Sequence, residues 1–260
     1  MSKPKIGLST LFCLGEPFNA LVKRLYEVDV SYVELVDEGL HRLDKKRIKV
    51  LKVIAQSKDL DLMLHSPFAD INIASSNSIL RKTVLKIQKE SLIHAYHLDC
   101  QVWVFHPGLR TGVSYFYPER DWQHNLESVR TLLKVAGEYG VNIAIENGPS
   151  PLPFLMRNVE DFSRFYNELG EDIGLTFDVA HANLDNQIPD FVMHLSDRII
   201  HVHVSDNDGI SDAHLGIGYG KIDWKTVAET IKEVSYNNII VLESMDHVEE
   251  SLQKLRKLFA

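Results

Sequence analysis

Six short apolar runs in the chain each end in a residue able to bind a metal ion. Leu62-Met63-Leu64 leads into His65, Val102-Trp103-Val104-Phe105 into His106, Ile143-Ala144-Ile145 into Glu146, and Leu175-Thr176-Phe177 into Asp178. Ile199-Ile200-His201-Val202 leads into His203, and Ile239-Ile240-Val241-Leu242 into Glu243. A polar residue closing one buried strand is common. Six in series, all His, Asp or Glu and all at C-terminal ends, form the pattern of side chains converging on one rim of a barrel.

Carboxylates crowded on such a rim cannot all ionise comfortably without a cation. Glu146, Asp178 and Glu243, with Asp206 or Asp212 beside them, offer oxygen donors; His65, His106, His181 and His203 offer neutral nitrogens. That mixture suits Zn²⁺, Mn²⁺, Fe²⁺ or Co²⁺ better than Ca²⁺ or Mg²⁺. Taken singly, each residue reads as a hydrogen-bonded strand end; the coincidence of type and position carries the metal reading.

Two local patterns sharpen it. In Phe177-Asp178-Val179-Ala180-His181 a histidine follows the acid one short turn later, so both can face one centre. In His201-Val202-His203 the strand period of two puts both rings on one face. His203, nearer the C-terminal end, is the better ligand, and His201 is a deeper core or supporting group. Asp212-Ala213-His214 adds another acid and histidine, in a loop closing with Gly216-Ile217-Gly218-Tyr219-Gly220.

These side chains need a scaffold that brings eight strand ends together. Strands are expected over 5–10, 32–37, 62–65, 102–106, 142–146, 173–178, 199–205 and 238–243. Helical patterns lie near 18–28, 43–57, 78–98, 121–139, 158–169, 188–196, 224–235 and 247–258. Eight strands each followed by a helix predict an α/β fold, a (β/α)8 TIM barrel spanning 1–260 as one domain. An open doubly wound sheet is the alternative, but the first turn, Ser9 to Gly15, carries no G-x-G-x-x-G, and no P-loop appears. Three strand-to-helix loops are long: Pro107–Arg120, Asn147–Asn158 and Asp206–Ile222. They share the rim with the ligands, where long loops usually shape a substrate pocket. Arg110 and Arg157 within them could bind a phosphate bidentately, or be ordinary surface arginines.

At 260 residues, 45% hydrophobic and 25% charged, the chain is an ordinary globular composition able to bury a sizeable core. Its formal net charge of -8 disfavours broad nucleic-acid binding. The densest basic stretch, Asp44 to Lys52, has apolar residues at helical spacing and reads as the solvated face of a surface helix. Cys13 and Cys100 form no metal-site or disulfide pattern, which points weakly to a reduced, cytoplasmic setting. No signal-peptide pattern opens the chain and no apolar run reaches membrane-spanning length.

Over its whole length the chain resembles the xylose isomerase-like TIM barrels, the superfamily that also contains endonuclease IV (AP endonuclease family 2). The resemblance rests on His65-Ser66-Pro67-Phe68, His106-Pro107-Gly108, Ile145-Glu146-Asn147, Asp178-Val179-Ala180-His181, His203-Val204-Ser205-Asp206, the segment from Asp212 to Asp223, and Glu243-Ser244. In the sugar isomerase and epimerase branch, one divalent metal is held by the positions of Glu146, Asp178, His203 and Glu243. There the resemblance implies that Glu146 and Glu243 remove and return a proton through a metal-stabilised enediolate. His181 would steady a substrate oxygen, and the substrate would be a sugar or sugar phosphate. In the endonuclease IV-like branch, three zinc ions cleave DNA at abasic sites. The nine positions matching its ligands are His65, His106, Glu146, Asp178, His181, His203, Asp212, His214 and Glu243, all filled with the expected type. The resemblance therefore implies one to three divalent ions per chain, zinc or manganese.

Outside the ligands the chain departs from endonuclease IV: Pro107 to Gly112 and His181-Ala182-Asn183 do not match its DNA-handling loops. His203 to Gly209 looks more like the isomerase branch. Duplex DNA also calls for Lys or Arg on the catalytic rim, and the three loops supply only Arg110, Arg120, Arg157 and Lys221. The reading favoured is a metal-dependent sugar isomerase or epimerase, with the abasic-site phosphodiesterase as alternative and a non-catalytic metal-binding barrel as a third.

Overall fold

In the computed structural model, which describes residues 3–260, the alternation of strand and helix closes into a ring. Strands β1 (Lys5–Ser9), β2 (Tyr32–Val36), β3 (Asp61–His65), β4 (Trp103–Phe105), β5 (Ile143–Glu146), β6 (Gly174–Asp178), β7 (Ile199–Val204) and β8 (Ile239–Leu242) pair in parallel in chain order, and β8 returns to β1. The described residues also form α1 (Phe18–Glu27), α2 (Lys45–Lys58), α3 (Ser78–His97), α4 (Arg120–Tyr139), α5 (Val159–Leu169), α6 (Val179–Leu184), α7 (Ile188–Leu195), α8 (Trp224–Glu233) and α9 (Val248–Leu258). The molecule is the single (β/α)8 barrel that the sequence predicts.

The strand period of two divides the apolar residues into two bodies. Leu62, Leu64, Trp103, Phe105, Ile143, Ile145, Leu175, Phe177, Val202, Val204, Ile240 and Leu242 pack outward with the helices as one cluster. Residues of the opposite parity, Met63, Val102, Val104, Ala144, Ile239 and Val241, form a second cluster inside the ring. Trp103, Phe105 and Phe177 are fully buried, and each contributes roughly 2–3 kcal/mol through area removed from water. The ligand-type residues His65, His106, Glu146, Asp178, His203 and Glu243 share the inner parity and lie one step above this inner plug.

The helices start where their caps allow. Asp44 accepts from the amides of Lys46 and Arg47 to open α2, and Asn158 makes a reciprocal capping box with Asp161 to open α5. The basic stretch forms α2, burying Ile48, Leu51 and Ile54 and leaving its lysines to solvent, as its spacing predicts. Sequence periodicity missed α6, a six-residue helix capped by Asp178. It is hidden because its residues read as the turn between Asp178 and the next helical pattern. Strand ends also shrink: Thr10 begins a 3-10 turn, and Val102 and His106 fall outside β4. Among the described residues, no helix is long and apolar enough to cross a membrane.

Candidate metal centre

All nine sequence-predicted ligand residues meet in one connected group at the C-terminal end of the barrel. Glu146, buried at the tip of β5, is its hub. Its Oε2 lies 3.3 Å from His65 Nε2 and 3.2 Å from His106 Nε2, and its Oε1 lies 3.2 Å from His203 Nδ1 and 3.5 Å from His181 Nδ1. Glu243 Oε2 stands 3.4 Å from the same His203 Nδ1. On the far side, His181 Nε2 reaches Asp212 Oδ2 at 3.1 Å, and that oxygen lies 3.2 Å from His214 Nε2. One donor atom from each of Glu146, Asp178, His203 and Glu243 falls within 4.8 Å of the others, and His65, His106 and Glu146 form an adjoining set of the same kind.

Local structure fixes each member. Asn147 clamps β5 to β6, donating from Nδ2 to the Asp178 carbonyl at 3.0 Å and accepting from the Asp178 amide at 2.8 Å. Asp178 caps α6 by accepting from the His181 amide, which turns the His181 ring inward. The rings are also oriented from behind. His65 Nδ1 donates to the Ser66 carbonyl at 2.9 Å and His181 Nδ1 to the Asn147 carbonyl at 2.7 Å, leaving Nε2 of both rings toward the group. Such anchoring fixes the tautomer that a metal requires.

Asp206, which the sequence left as an alternative to Asp212, has another task. Its carboxylate accepts from the amides of Asn207, Gly218 and Ile222 and from Trp224 Nε1. It braces the loop carrying Asp212 and His214 and is fully committed there. Gly220 is required at this brace, because a Cβ would come 2.3 Å from both Asn207 O and Asp206 Oδ1. The loop holds His214 in a left-handed conformation (φ +45) and anchors it through the bond from the Met245 amide to its carbonyl.

The electrostatics are those of a site awaiting positive charge. Burial resists ionisation of Glu146, but His203 and His106 outweigh it and hold this carboxylate well below its usual range. Burial, reinforced by Glu146 and Glu34, pushes Glu243 up to about 7. Burial disfavours the His65 cation, but Glu146 outweighs it and raises the ring to about 9. Against the same opposition from burial, His181 is raised by Asp178 and Asp212, and His203 by Glu243 and Glu34. Protons thus supply the charge that the carboxylates need. Asp178 Oδ2 and Asp212 Oδ1 are buried and receive no hydrogen bond, a cost on the order of 1–3 kcal/mol each. A divalent cation fits this donor set on both counts.

The group opens into a cavity of about 350 Å³ lined by His65, His106, Glu146, His181, Asp212, His214 and Glu243 on one side. Leu11, Val36, Phe68, Leu109, Pro149, Leu152, Pro153 and Phe154 line the other. The first two long loops join through a bridge between Leu109 and Phe154 to make that apolar wall. No Lys or Arg lines it. Arg110 is exposed, with its amide bound to the Pro153 carbonyl, and the Arg157 guanidinium is taken up by Ser150 Oγ at 3.1 Å. Neither proposed phosphate-binding arginine lines the cavity. A larger groove of about 850 Å³ between α1 and α9 holds none of the nine predicted ligand residues, and its Arg24 is already paired with Glu16 at 2.8 Å.

Sequence reasoning missed Glu34. It lies inside β2, fully buried, with Oε2 2.8 Å from His201 Nε2 and 3.2 Å from His203 Nε2. The strand pattern points to polar residues at strand ends and in the loops beyond them, and Glu34, an acid in mid-strand, lies outside it. The available signal was a lone carboxylate at inward parity within Tyr32-Val33-Glu34-Leu35-Val36, since a buried charge demands a partner.

The closed barrel is a (β/α)8 fold whose rim gathers buried histidine and carboxylate clusters able to hold a divalent metal ion. Residues 22–258 match the xylose isomerase-like TIM barrel family, and the chain belongs to it. It is 32% identical over 244 residues to the uncharacterised protein MJ1311 of Methanocaldococcus jannaschii, covering 92% of this chain and 83% of that one. The crystal structure of a D-tagatose 3-epimerase-like protein superposes with a TM-score of 0.92 at 30% identity, covering 98% of this chain and 96% of the other. D-psicose 3-epimerase of Ruminiclostridium cellulolyticum is 22% identical over 236 residues, covering 85% of this chain and 76% of its own.

Proposed function

We propose that the chain is a divalent-metal-dependent isomerase or epimerase acting on a sugar, and that an unphosphorylated sugar suits it better than a sugar phosphate. The observation that carries this reading is the buried set Glu146, Asp178, His203 and Glu243, whose two glutamates both line the one cavity at the barrel mouth. A divalent ion held by Glu146, Asp178, His203 and Glu243 would supply Lewis acidity toward a carbonyl and its neighbouring C–H. Glu146, kept ionised by its histidines, is suited to accept that proton. Glu243, which also lines the cavity, is suited to return one. His181, held through Nδ1 by the Asn147 carbonyl and through Nε2 by Asp212, lines the cavity, where it would steady a substrate oxygen. The lack of Lys or Arg along the cavity lining disfavours a phosphate group. The likeness to proteins named as 3-epimerases supports the same chemistry.

The test is proton exchange. Metal-loaded protein incubated with a panel of free ketoses in deuterated water is expected to introduce deuterium at the carbon beside the carbonyl and to yield the epimer, both stopped by chelator. No exchange with any ketose or aldose would sink the proposal.

One observation favours a second reading, an endonuclease IV-like phosphodiesterase acting at abasic sites: Asp212 and His214 complete a nine-residue group able to hold a trinuclear zinc site. Chelator-sensitive incision of a duplex with one abasic site would establish it. The cation-free cavity wall weighs against it.

A further inference from the structure

Directly beneath the metal centre lies a polar island in an apolar layer. At the inner parity of the barrel, Met63, Val104, Ala144 and Val241 make a hydrophobic plug. Glu34, paired in register with Met63, and His201, paired with Ile239, interrupt it. Glu34, His201 and His203 are each at most 1% exposed. Burying an ionised carboxylate and two imidazoles inside a barrel is costly unless every group is matched.

The matching falls on one oxygen: Glu34 Oε2 takes both hydrogen bonds, and the buried Oε1 receives none. A carboxylate only accepts hydrogen bonds, so the facing nitrogens must be the donors. His201 Nε2 donates to Glu34 Oε2 at 2.8 Å, and His203 Nε2 donates to the same oxygen at 3.2 Å while lying 3.1 Å from Oε1. With its proton on Nε2, neutral His203 has its lone pair on Nδ1, the atom facing Glu146 and Glu243 at 3.2 and 3.4 Å. His201 cannot serve the upper group: it holds Glu34 from the other side.

The alternative, that Glu34, His201 and His203 themselves hold an ion, fits less well. Glu34 and His201 are not among the residues lining the cavity, so an ion could reach them only past the upper group. It would also take Nε2 of His203 as a lone pair and turn an N–H toward Glu146 and Glu243, where the upper site needs a donor atom.

We propose that Glu34 is a positioning residue of the metal centre: clamped by His201, it fixes the His203 ring and tautomer so that Nδ1 is presented as a ligand. The inference rests on the metal-centre reading, and not on the identity of the substrate.

The experiment is a Co²⁺ titration of chelator-stripped protein, followed by competition with an indicator chelator and by the visible spectrum of the bound ion. Wild type, Glu34→Gln, Glu34→Asp, His201→Phe and the interior packing control Val102→Ala are compared, with melting curves of the stripped proteins alongside. Wild type is expected to bind. Glu34→Gln should bind roughly 10–100-fold more weakly, with a shifted ligand-field band at saturation. Glu34→Asp, which keeps the charge one methylene further off, should fall between, and it serves in place of Glu34→Gln if that variant does not fold. His201→Phe should weaken binding less than Glu34→Gln. Val102→Ala should lose melting temperature with unchanged affinity. Equal affinity and spectrum in Glu34→Gln and wild type would overturn the proposal while leaving the centre intact. Loss of one whole metal equivalent with the remaining spectrum unchanged would overturn it in favour of a ligand role. Absence of binding in wild type would overturn both the proposal and the metal centre.

Discussion

His181 and Asp212 meet at 3.1 Å, Nε2 to Oδ2, and this contact ties the short helix α6 to the loop after β7. Asp212 and His214 stand outside the four-residue set of Glu146, Asp178, His203 and Glu243. His214→Ala is therefore expected to leave one tightly held ion per chain and only a several-fold loss of the proposed isomerase or epimerase activity. Elemental analysis before and after the substitution, with paired rate measurements, checks this. Complete loss of metal would show that the outer ligands are indispensable and would favour a multinuclear centre.

Glu146→Gln and Glu243→Gln remove the two carboxylates proposed to move the proton. Each is expected to lower turnover by about 10²–10⁴-fold while circular dichroism stays that of the native barrel. Exchange of substrate hydrogen in deuterated water is the direct readout. Wild-type exchange in either variant would remove that residue from the chemistry.

Metal and protons compete for the same site, and the sign follows from the shifts. In chelated protein His65 keeps its proton up to about 9 against an ordinary value of 6.5, and Glu243 up to about 7 against 4.5. Both groups bind protons more tightly when folded. Their contributions are complete below 4.5 for Glu243 and below 6.5 for His65, and are lost as pH rises through about 7 and about 9. A bound ion takes over this charge balance, so the melting-temperature gap between loaded and chelated protein is expected to widen from about pH 5 to about pH 9. Scanning calorimetry at constant ionic strength measures it. A constant gap would mean that these protons are not exchanged for the ion.

Asp206 predicts a different phenotype. Replacing it with alanine strands the buried donors of Gly218, Ile222 and Trp224, at a cost on the order of 3 kcal/mol. Asp206→Ala is expected to lower urea stability by a similar amount with and without chelator. A ligand substitution such as Asp178→Asn should lose stability chiefly in the metal-loaded state.

Most of the barrel was legible because strand parity and strand-end chemistry are local. His65, His106, Glu146, Asp178, His203 and Glu243 each end an inward-facing row, and their convergence follows from closing the ring. The role of Asp206 was not legible, because an acid two residues beyond a strand can face the centre or brace a loop, and only tertiary hydrogen bonds decide which. The α6 helix escaped because six residues are too few to show a helical period. Glu34 escaped because its partner His203 lies 169 residues away in sequence. The cavity wall, built where Leu109 meets Phe154, depends on how two loops fold against each other.

The strict alternation of inner and outer residues also constrains how such a protein can change. Deleting one residue from β7 would trade His203 for Val202 or Val204 at the mouth and drive an imidazole into the helix-facing core, so the site and the packing would fail together. Insertions into the loop segments 109–119 and 148–157 carry no such penalty, because neither contains a strand or any of the nine ligand residues. New substrates can therefore be admitted by lengthening or trimming the rim, while the reactive machinery is locked against every change of reading that is not a one-for-one exchange.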